Sequence, residues 1–197
     1  IQGVNEENIV HGTNTDYIDL INYLETQEMN DPVVENALDN WIDIESYMSY
    51  QAFQIFVDNR DWPGNNIKFW RDHRVGGKWR WILYDTDFGF GIWDQYAYTF
   101  NTLSFALDPN GPGWPNPPWS TFIFRKLMEN ENFQNSFINI YCDMLNTVLL
   151  PEFLTTRLDS ISGNIEEMVP VHREHWFNDG EWPNSTTNWE NRLNQME

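Results

Sequence analysis

Residues 58–91 of the chain read DNRDWPGNNIKFWRDHRVGGKWRWILYDTDFGFG. Two runs within them, 67–71 and 78–84, are rich in aromatic and β-branched residues, and a polar turn ending in Gly76-Gly77 separates the runs. This pattern predicts a β-hairpin. Elsewhere the apolar residues recur three and four apart, which is typical of helices. The sequence therefore predicts a mainly helical α+β fold in which helices surround one central hairpin.

Polar side chains flank both runs of the predicted hairpin. In an antiparallel hairpin, the residue that enters the first strand lies beside the residue that leaves the second. Asn65 and Asn66 should therefore share one end of the hairpin with Asp85 and Asp87, and the preceding loop brings two more carboxylates to that end. The expected cluster is Asp58, Asp61, Asn65, Asn66, Asp85 and Asp87.

A cluster of carboxylate and amide oxygens is the kind of ligand set that Mg²⁺ and Ca²⁺ prefer. Turn preference is an alternative explanation for each residue alone, because Asp, Asn and Gly are common before and after strands. Turn preference explains less well why all of them gather at one end. Carboxylates that lie close together repel one another. The cluster therefore favours a cation site or a catalytic duty.

The arrangement resembles the CotH kinase family, whose members have an atypical protein-kinase-like fold. The resemblance covers most of residues 30–180. Its most specific elements are DWPGNN at 61–66, the strand at 67–70, the turn at 76–78 and DTDFGFG at 85–91. The resemblance implies a kinase-like C-terminal lobe.

The resemblance also implies site residues and cofactors. In kinases a catalytic Asp is followed five positions later by a metal-binding Asn, then by a hairpin and a second metal-binding Asp. On that pattern Asp61 orients the acceptor hydroxyl, while Asn66 and Asp85 hold Mg²⁺ or Mn²⁺ with ATP. Asp87 is a second ligand or a support, and the spelling Asp-Phe-Gly at 87–89 leaves open which aspartate is the principal ligand. The implied acceptor is a Ser or Thr of a protein.

A complete kinase also needs a phosphate-clamping lysine on an N-terminal strand and a loop over the nucleotide. The chain has no lysine before Lys68, and its first 57 residues show helical patterns. We therefore expect residues 1–197 to form a single domain that corresponds to the C-terminal lobe, with the N-terminal lobe missing. On this interpretation the full-length protein is an enzyme, and the fragment alone is inactive.

The composition restricts the partners. Of 197 residues, 30 are acidic and 11 are basic, which gives a formal net charge of -19. A field of this sign repels nucleic acid and anionic membranes, and it attracts cations and basic proteins. No apolar run reaches the length that a transmembrane helix needs. Secretion or display at the cell surface is an expectation that follows from the resemblance and from the acidic composition.

Residues 108–119 hold five of the ten prolines and are predicted to form a rigid loop. Trp114 and Trp119 in this loop are either exposed platforms or a lid that folds back over the core, and buried Trp is the commoner state. Exposed platforms support an alternative function, a surface module that binds glycan or protein with a Ca²⁺ site. A degenerate pseudokinase scaffold is a further alternative.

Helices are predicted to occupy about half of the chain, above the usual third. Starts are expected at Thr15 or Asp16, at Asp31-Pro32 and at Asp43, because these residue types favour helix caps and first turns. Residues 92–102 are expected to be irregular. The helices expected after residue 120 span 121–128, 131–148, 152–168, 171–177 and 187–196. The lone cysteine, Cys142, is expected to be buried in a helix.

Overall fold

The structure is a computed structural model that describes residues 9–92, 94, 96–176 and 186–196. The described residues are mainly helical, and they contain one two-stranded antiparallel sheet. The mainly helical α+β class is therefore confirmed. The chain divides into two compact units, residues 1–141 and 142–197, and each is described by itself.

Three helices open the first unit: α1 (Thr15–Thr26), α2 (Pro32–Trp41) and α3 (Ile44–Phe56). Helices α2 and α3 start where the sequence predicted, whereas the cap position of α1 is Asn14 instead of Thr15 or Asp16. The Asp31 carboxylate accepts a hydrogen bond from the backbone N–H of Val33, and Pro32 occupies the first turn of α2. Asp43 caps α3 in the same way, through the N–H of Ser46. These caps satisfy N–H groups that have no partner within the helix.

The hairpin consists of β1 (Lys68–Trp70) and β2 (Arg80–Ile82), with Phe69 opposite Trp81. Both strands are shorter than the predicted 67–71 and 78–84. The second strand starts late because the backbone of Trp79 is engaged elsewhere. Its N–H donates to the carbonyl of Trp41, and its carbonyl accepts from the N–H of Asp43. The junction of α2 and α3 thus ends the sheet on that side.

The buried face of the hairpin packs against two of the helices. The ring of Phe69 stacks on Tyr17 of α1 at 4.4 Å between centroids. Trp81 meets Tyr47 of α3 edge to face, also at 4.4 Å. Aromatic contacts of this kind add stability beyond the area that they bury. They fix the hairpin on the helices and so determine where its open end lies.

The remaining helices of the described chain follow the hairpin: α4 (Thr102–Leu107), α5 (Phe122–Leu127), α6 (Glu131–Leu145), α7 (Pro151–Ile165), α8 (Val169–Trp176) and α9 (Thr186–Met196). Short 3-10 turns occupy Ala97–Thr99 and Glu166–Met168. Helix α4 was not predicted. It is only six residues long and is capped by Asn101, whose side chain accepts from the N–H of Ser104. None of the helices in the described ranges has the length and apolarity that crossing a lipid bilayer requires.

The expectation that Cys142 is buried was wrong, because the residue is exposed on α6. Helix α6 buries Phe133 and Phe137. At 3.6 residues per turn, Cys142 lies about 140° around the helix from Phe137. It therefore points away from the face that packs on the core.

Candidate functional site

Asp61 is the buried carboxylate of the loop between α3 and the hairpin, with only 6% of its surface exposed. Its Oδ2 atom accepts two side-chain amide hydrogen bonds, one from Asn65 at 2.9 Å and one from Asn66 at 2.7 Å. The backbone N–H of Asn65 also donates to the Asp61 carbonyl. Hydrogen bonds to an ionised group are among the stronger ones in proteins. The Asp61 carboxylate is therefore held in one orientation.

A polar relay beneath the loop ties Asp61 to α3. The Asn59 side chain accepts from the backbone N–H of Asp61 at 3.1 Å and donates to Gln54 at 2.9 Å. Gln54 in turn donates to the hydroxyl of Tyr50 at 3.2 Å. Sequence reasoning missed this support. Its signal was Gln54 among the buried residues of α3, since most buried polar side chains form hydrogen bonds.

Asp85 and Asp87 follow β2 at the open end of the hairpin, and both side chains are exposed. Lys68 and Ile82 form the last pair of the ladder, so Asn66 and Asp85 lie just beyond the paired residues at the same end of the hairpin. Partial desolvation, a hydrogen bond with Asp87 and the negative charges of Asp87 and Asp61 raise the pKa of Asp85. Asp85 thus lies within electrostatic reach of both Asp61 and Asp87.

The backbone at this end of the hairpin adopts an uncommon conformation. Asn66 and Asp85 have φ angles of +50° and +51°. Asn and Asp tolerate this left-handed region better than other residues with a side chain. Such conformations cost free energy and cluster at functional sites. The choice of Asn and Asp at these positions thus fits both the turn geometry and the cluster.

Asp58 does not join the cluster as expected, because other side chains use both of its oxygens. Its Oδ1 accepts from the hydroxyl of Thr102 at 2.7 Å, and its Oδ2 accepts from Arg60 at 2.6 Å. The Arg60 guanidinium also lies 3.9 Å from the ring centroid of Phe100. Desolvation raises the pKa of Asp58, although these two partners oppose the effect. Asp58 therefore fastens the loop to α4.

The proline-rich loop packs against the Asp61 loop, and it contains no helix or strand over 108–119, as predicted. The N–H of Gly64 donates to the carbonyl of Pro115 at 2.5 Å. A Cβ atom at position 64 would lie 2.3 Å from Pro117 Cδ, so only glycine fits there. Trp114 is 59% exposed and Trp119 is half-buried. The lid interpretation is therefore wrong for Trp114, and the prolines make the contact instead.

The residues of the cluster suit only a partial metal site. No group of three or more Asp, Glu, His or Cys side chains in the described part of the chain is arranged to hold a metal ion. Ca²⁺ usually takes six to eight oxygen ligands, whereas Mg²⁺ often uses one or two carboxylates and completes its shell with water and phosphate oxygens. The donors available here are Asp85, Asp87 and the amide oxygen of Asn66. This set fits a metal that is shared with a phosphate ligand.

Comparison with known proteins gives one match. The family model described as CotH kinase protein matches residues 2–197, which is essentially the whole chain. No curated protein and no solved structure matches the chain.

Proposed function

Since the chain belongs to the CotH kinase protein family, we propose that it carries the hydroxyl-orienting and metal-binding end of an atypical protein kinase site. In this reaction a phosphoryl group passes from a nucleotide to a Ser or Thr hydroxyl of a protein. The observation that supports the proposal most is the buried carboxylate of Asp61, which two amides orient within electrostatic reach of Asp85.

Asp61 is the group that would orient the acceptor. Its Oδ2 takes both amide hydrogen bonds, and its Oδ1 receives none from the described residues. We assign Oδ1 to the hydrogen bond from the attacking hydroxyl. In phosphoryl transfer the protein itself carries out little covalent chemistry. Positioning the acceptor hydroxyl therefore supplies much of the catalysis.

Asn66, Asp85 and Asp87 would hold the metal. The Asn66 amide nitrogen is committed to Asp61, which leaves its carbonyl oxygen for a cation. Asp85 directly follows the hairpin and is the principal ligand in this proposal, with Asp87 beside it. Mg²⁺ or Mn²⁺, bound together with ATP, would neutralise the negative charge on the phosphoryl oxygens.

The acidic composition supports the class of acceptor. A net charge of -19 attracts basic proteins and repels a free nucleoside triphosphate. Cations are therefore needed to neutralise the phosphates before the nucleotide can bind. We accordingly propose a basic protein acceptor, and we propose secretion or surface display on the strength of the family.

One observation favours a second function. Trp114 is exposed on an ordered loop, as an aromatic platform for glycan or protein would be. The Ca²⁺ site that this alternative invoked has less support, because a protein cage for Ca²⁺ needs more oxygen ligands than Asn66, Asp85 and Asp87 supply. The phosphotransfer proposal therefore stands first.

A thermal-shift titration tests the proposal. ATP with Mn²⁺ should raise the unfolding temperature of the chain, because a ligand that binds only the folded state stabilises it. We expect the shift to be small, since no lysine precedes Lys68 to clamp the phosphates. We also expect residues 1–197 alone to transfer no phosphate at a measurable rate.

The variant Asp85→Asn should lose the shift. Asp19→Asn is the matched control, because it removes the same charge from an exposed position on α1. Equal shifts in Asp85→Asn and the wild type would contradict the proposal.

A further inference from the structure

Lys68 begins β1 and lies on the exposed face of the hairpin. It pairs with Ile82 across the two strands. Side chains alternate between the two faces of a strand, so Lys68, Ile82 and Tyr84 share a face, while Phe69 and Trp81 occupy the other. The exposed face thus carries a lysine close to the acidic end.

The ammonium group of Lys68 is turned towards that end. Its Nζ atom lies 4.6 Å from the ring centroid of Tyr84. Tyr84 is two residues beyond Ile82, the cross-strand partner of Lys68, and it immediately precedes Asp85.

Lys68 differs from several other basic residues of the chain because its ammonium group has no carboxylate partner among the described residues. Five of the cations form ion pairs: Arg60, Arg71, Arg74, Arg80 and Lys126. Lys68 takes part in none of the ion pairs seen among the described residues, and its ammonium rests on an aromatic ring instead. A cation–π contact at an exposed site is weak, so it holds the ammonium group without removing it from other ligands.

We propose that Lys68 is a phosphate-binding residue of this site and that its ammonium group contacts the phosphate oxygens of the nucleotide. This inference rests on the proposed function. The carboxylates of Asp61, Asp85 and Asp87 repel a polyphosphate, and a divalent metal offsets only part of that repulsion. Lys68 supplies a further positive charge at the end of the hairpin that carries Asp85, where the metal and the phosphates would meet.

Calorimetric titrations at high protein concentration test the assignment. Two probes are used, Mn²⁺ alone and ATP in the presence of Mn²⁺, on the wild type, Lys68→Gln, Lys68→Arg and Lys78→Gln. Lys78 is the matched control, because it lies on the turn side of β2, away from the open end.

Lys68→Gln should weaken the binding of ATP with Mn²⁺ about tenfold, as expected for loss of a contact to a charged group. It should not weaken the binding of Mn²⁺ alone, because no metal ligand is removed. Lys68→Arg should retain most of the ATP affinity, and Lys78→Gln should match the wild type.

Each other outcome overturns the assignment in a distinguishable way. If Lys68→Gln binds ATP with Mn²⁺ as tightly as the wild type, the role of Lys68 is wrong while the proposed function stands. If Lys68→Gln weakens the binding of Mn²⁺ alone by the same factor, the lysine stabilises the structure of the site and does not contact the phosphates. If the wild type shows no Mn²⁺-dependent binding of ATP, the proposed function fails and the role of Lys68 fails with it.

Discussion

The side-chain amide of Asn66 donates a 2.7 Å hydrogen bond to Oδ2 of the buried Asp61 carboxylate. One side chain thereby connects two proposed roles, because the nitrogen of the amide fixes Asp61 and its oxygen remains for the metal. Asn65 donates to the same oxygen at 2.9 Å but is itself exposed. The two asparagines therefore form a natural pair for comparison.

Removing either asparagine should destabilise the chain, and only Asn66 should matter for the metal. Asn65→Ala and Asn66→Gly each delete one hydrogen bond to Asp61, at a cost of about 1–3 kcal/mol in unfolding free energy. Glycine is chosen at position 66 because the φ angle there is +50°. Urea unfolding measures the stability, and the thermal shift with Mn²⁺ and ATP measures the site. If Mn²⁺ and ATP raise the unfolding temperature of Asn66→Gly as much as that of the wild type, Asn66 is not a metal ligand.

Asn116 holds the proline-rich loop that supports the Asp61 loop. Its side chain is 0% exposed and donates to the carbonyl of Phe105 at 2.6 Å. Asn116→Ala should lower the unfolding free energy by about 1–3 kcal/mol, because it removes a buried side chain whose hydrogen bond joins the loop to the Phe105 carbonyl. Asn110→Ala, an exposed change in the same loop, should have little effect. Equal stability of the two variants in urea would show that Asn116 does not secure the loop.

Truncating a buried tryptophan should lower the stability of the chain far more than truncating an exposed one. Trp81 is 9% exposed and packs between Tyr47 and Phe69. Trp81→Ala should cost about 3–5 kcal/mol, as other large-to-small changes in cores do. Trp114→Ala should stay within about 0.5 kcal/mol of the wild type, because the side chain is exposed. A large loss in Trp114→Ala would mean that this loop is part of the core.

Asp43 should make stability depend on pH through its contact with the hairpin. A hydrogen bond of 2.7 Å from Arg80 is the main cause of a lowered pKa at Asp43. A carboxyl group whose folded-state pKa is lowered stabilises the fold above its unfolded pKa of about 3.9, and this contribution is lost as the pH falls through the folded value.

Asp43→Asn keeps a residue that caps helices well but removes the charge. Its deficit relative to the wild type should be under about 1 kcal/mol near pH 6, because the pair is partly exposed. The deficit should shrink below pH 4 in urea unfolding series. A deficit that grows on acidification would refute the assigned direction.

Local chemistry made several elements predictable from the sequence. Asp31, Pro32 and Asp43 mark helix starts because caps and first turns depend on neighbouring residues alone. The presence of Asn66 and Asp85 at one end of the hairpin follows from its register, which the two aromatic runs and their turn define. The family resemblance supplied the roles, which no spacing rule could supply.

Contacts between distant segments were not predictable. The bond from Thr102 to Asp58 spans 44 residues, and no periodic pattern marks it. Gly64 looked like an ordinary turn glycine, whereas it is required by the approach of Pro115 and Pro117. Both contacts depend on tertiary packing, which overrides the turn preferences visible in the local sequence.

The location of a bound metal tests the central claim most directly. Crystals of the chain grown with Mn²⁺ and ATP should give an anomalous scattering peak at the open end of the hairpin. The account predicts a manganese ion about 2.0–2.2 Å from a carboxylate oxygen of Asp85, with Asn66 or Asp87 as a further ligand. Bound ATP with the manganese ion elsewhere, or with no manganese ion in contact with Asp85, Asp87 and Asn66, would contradict it.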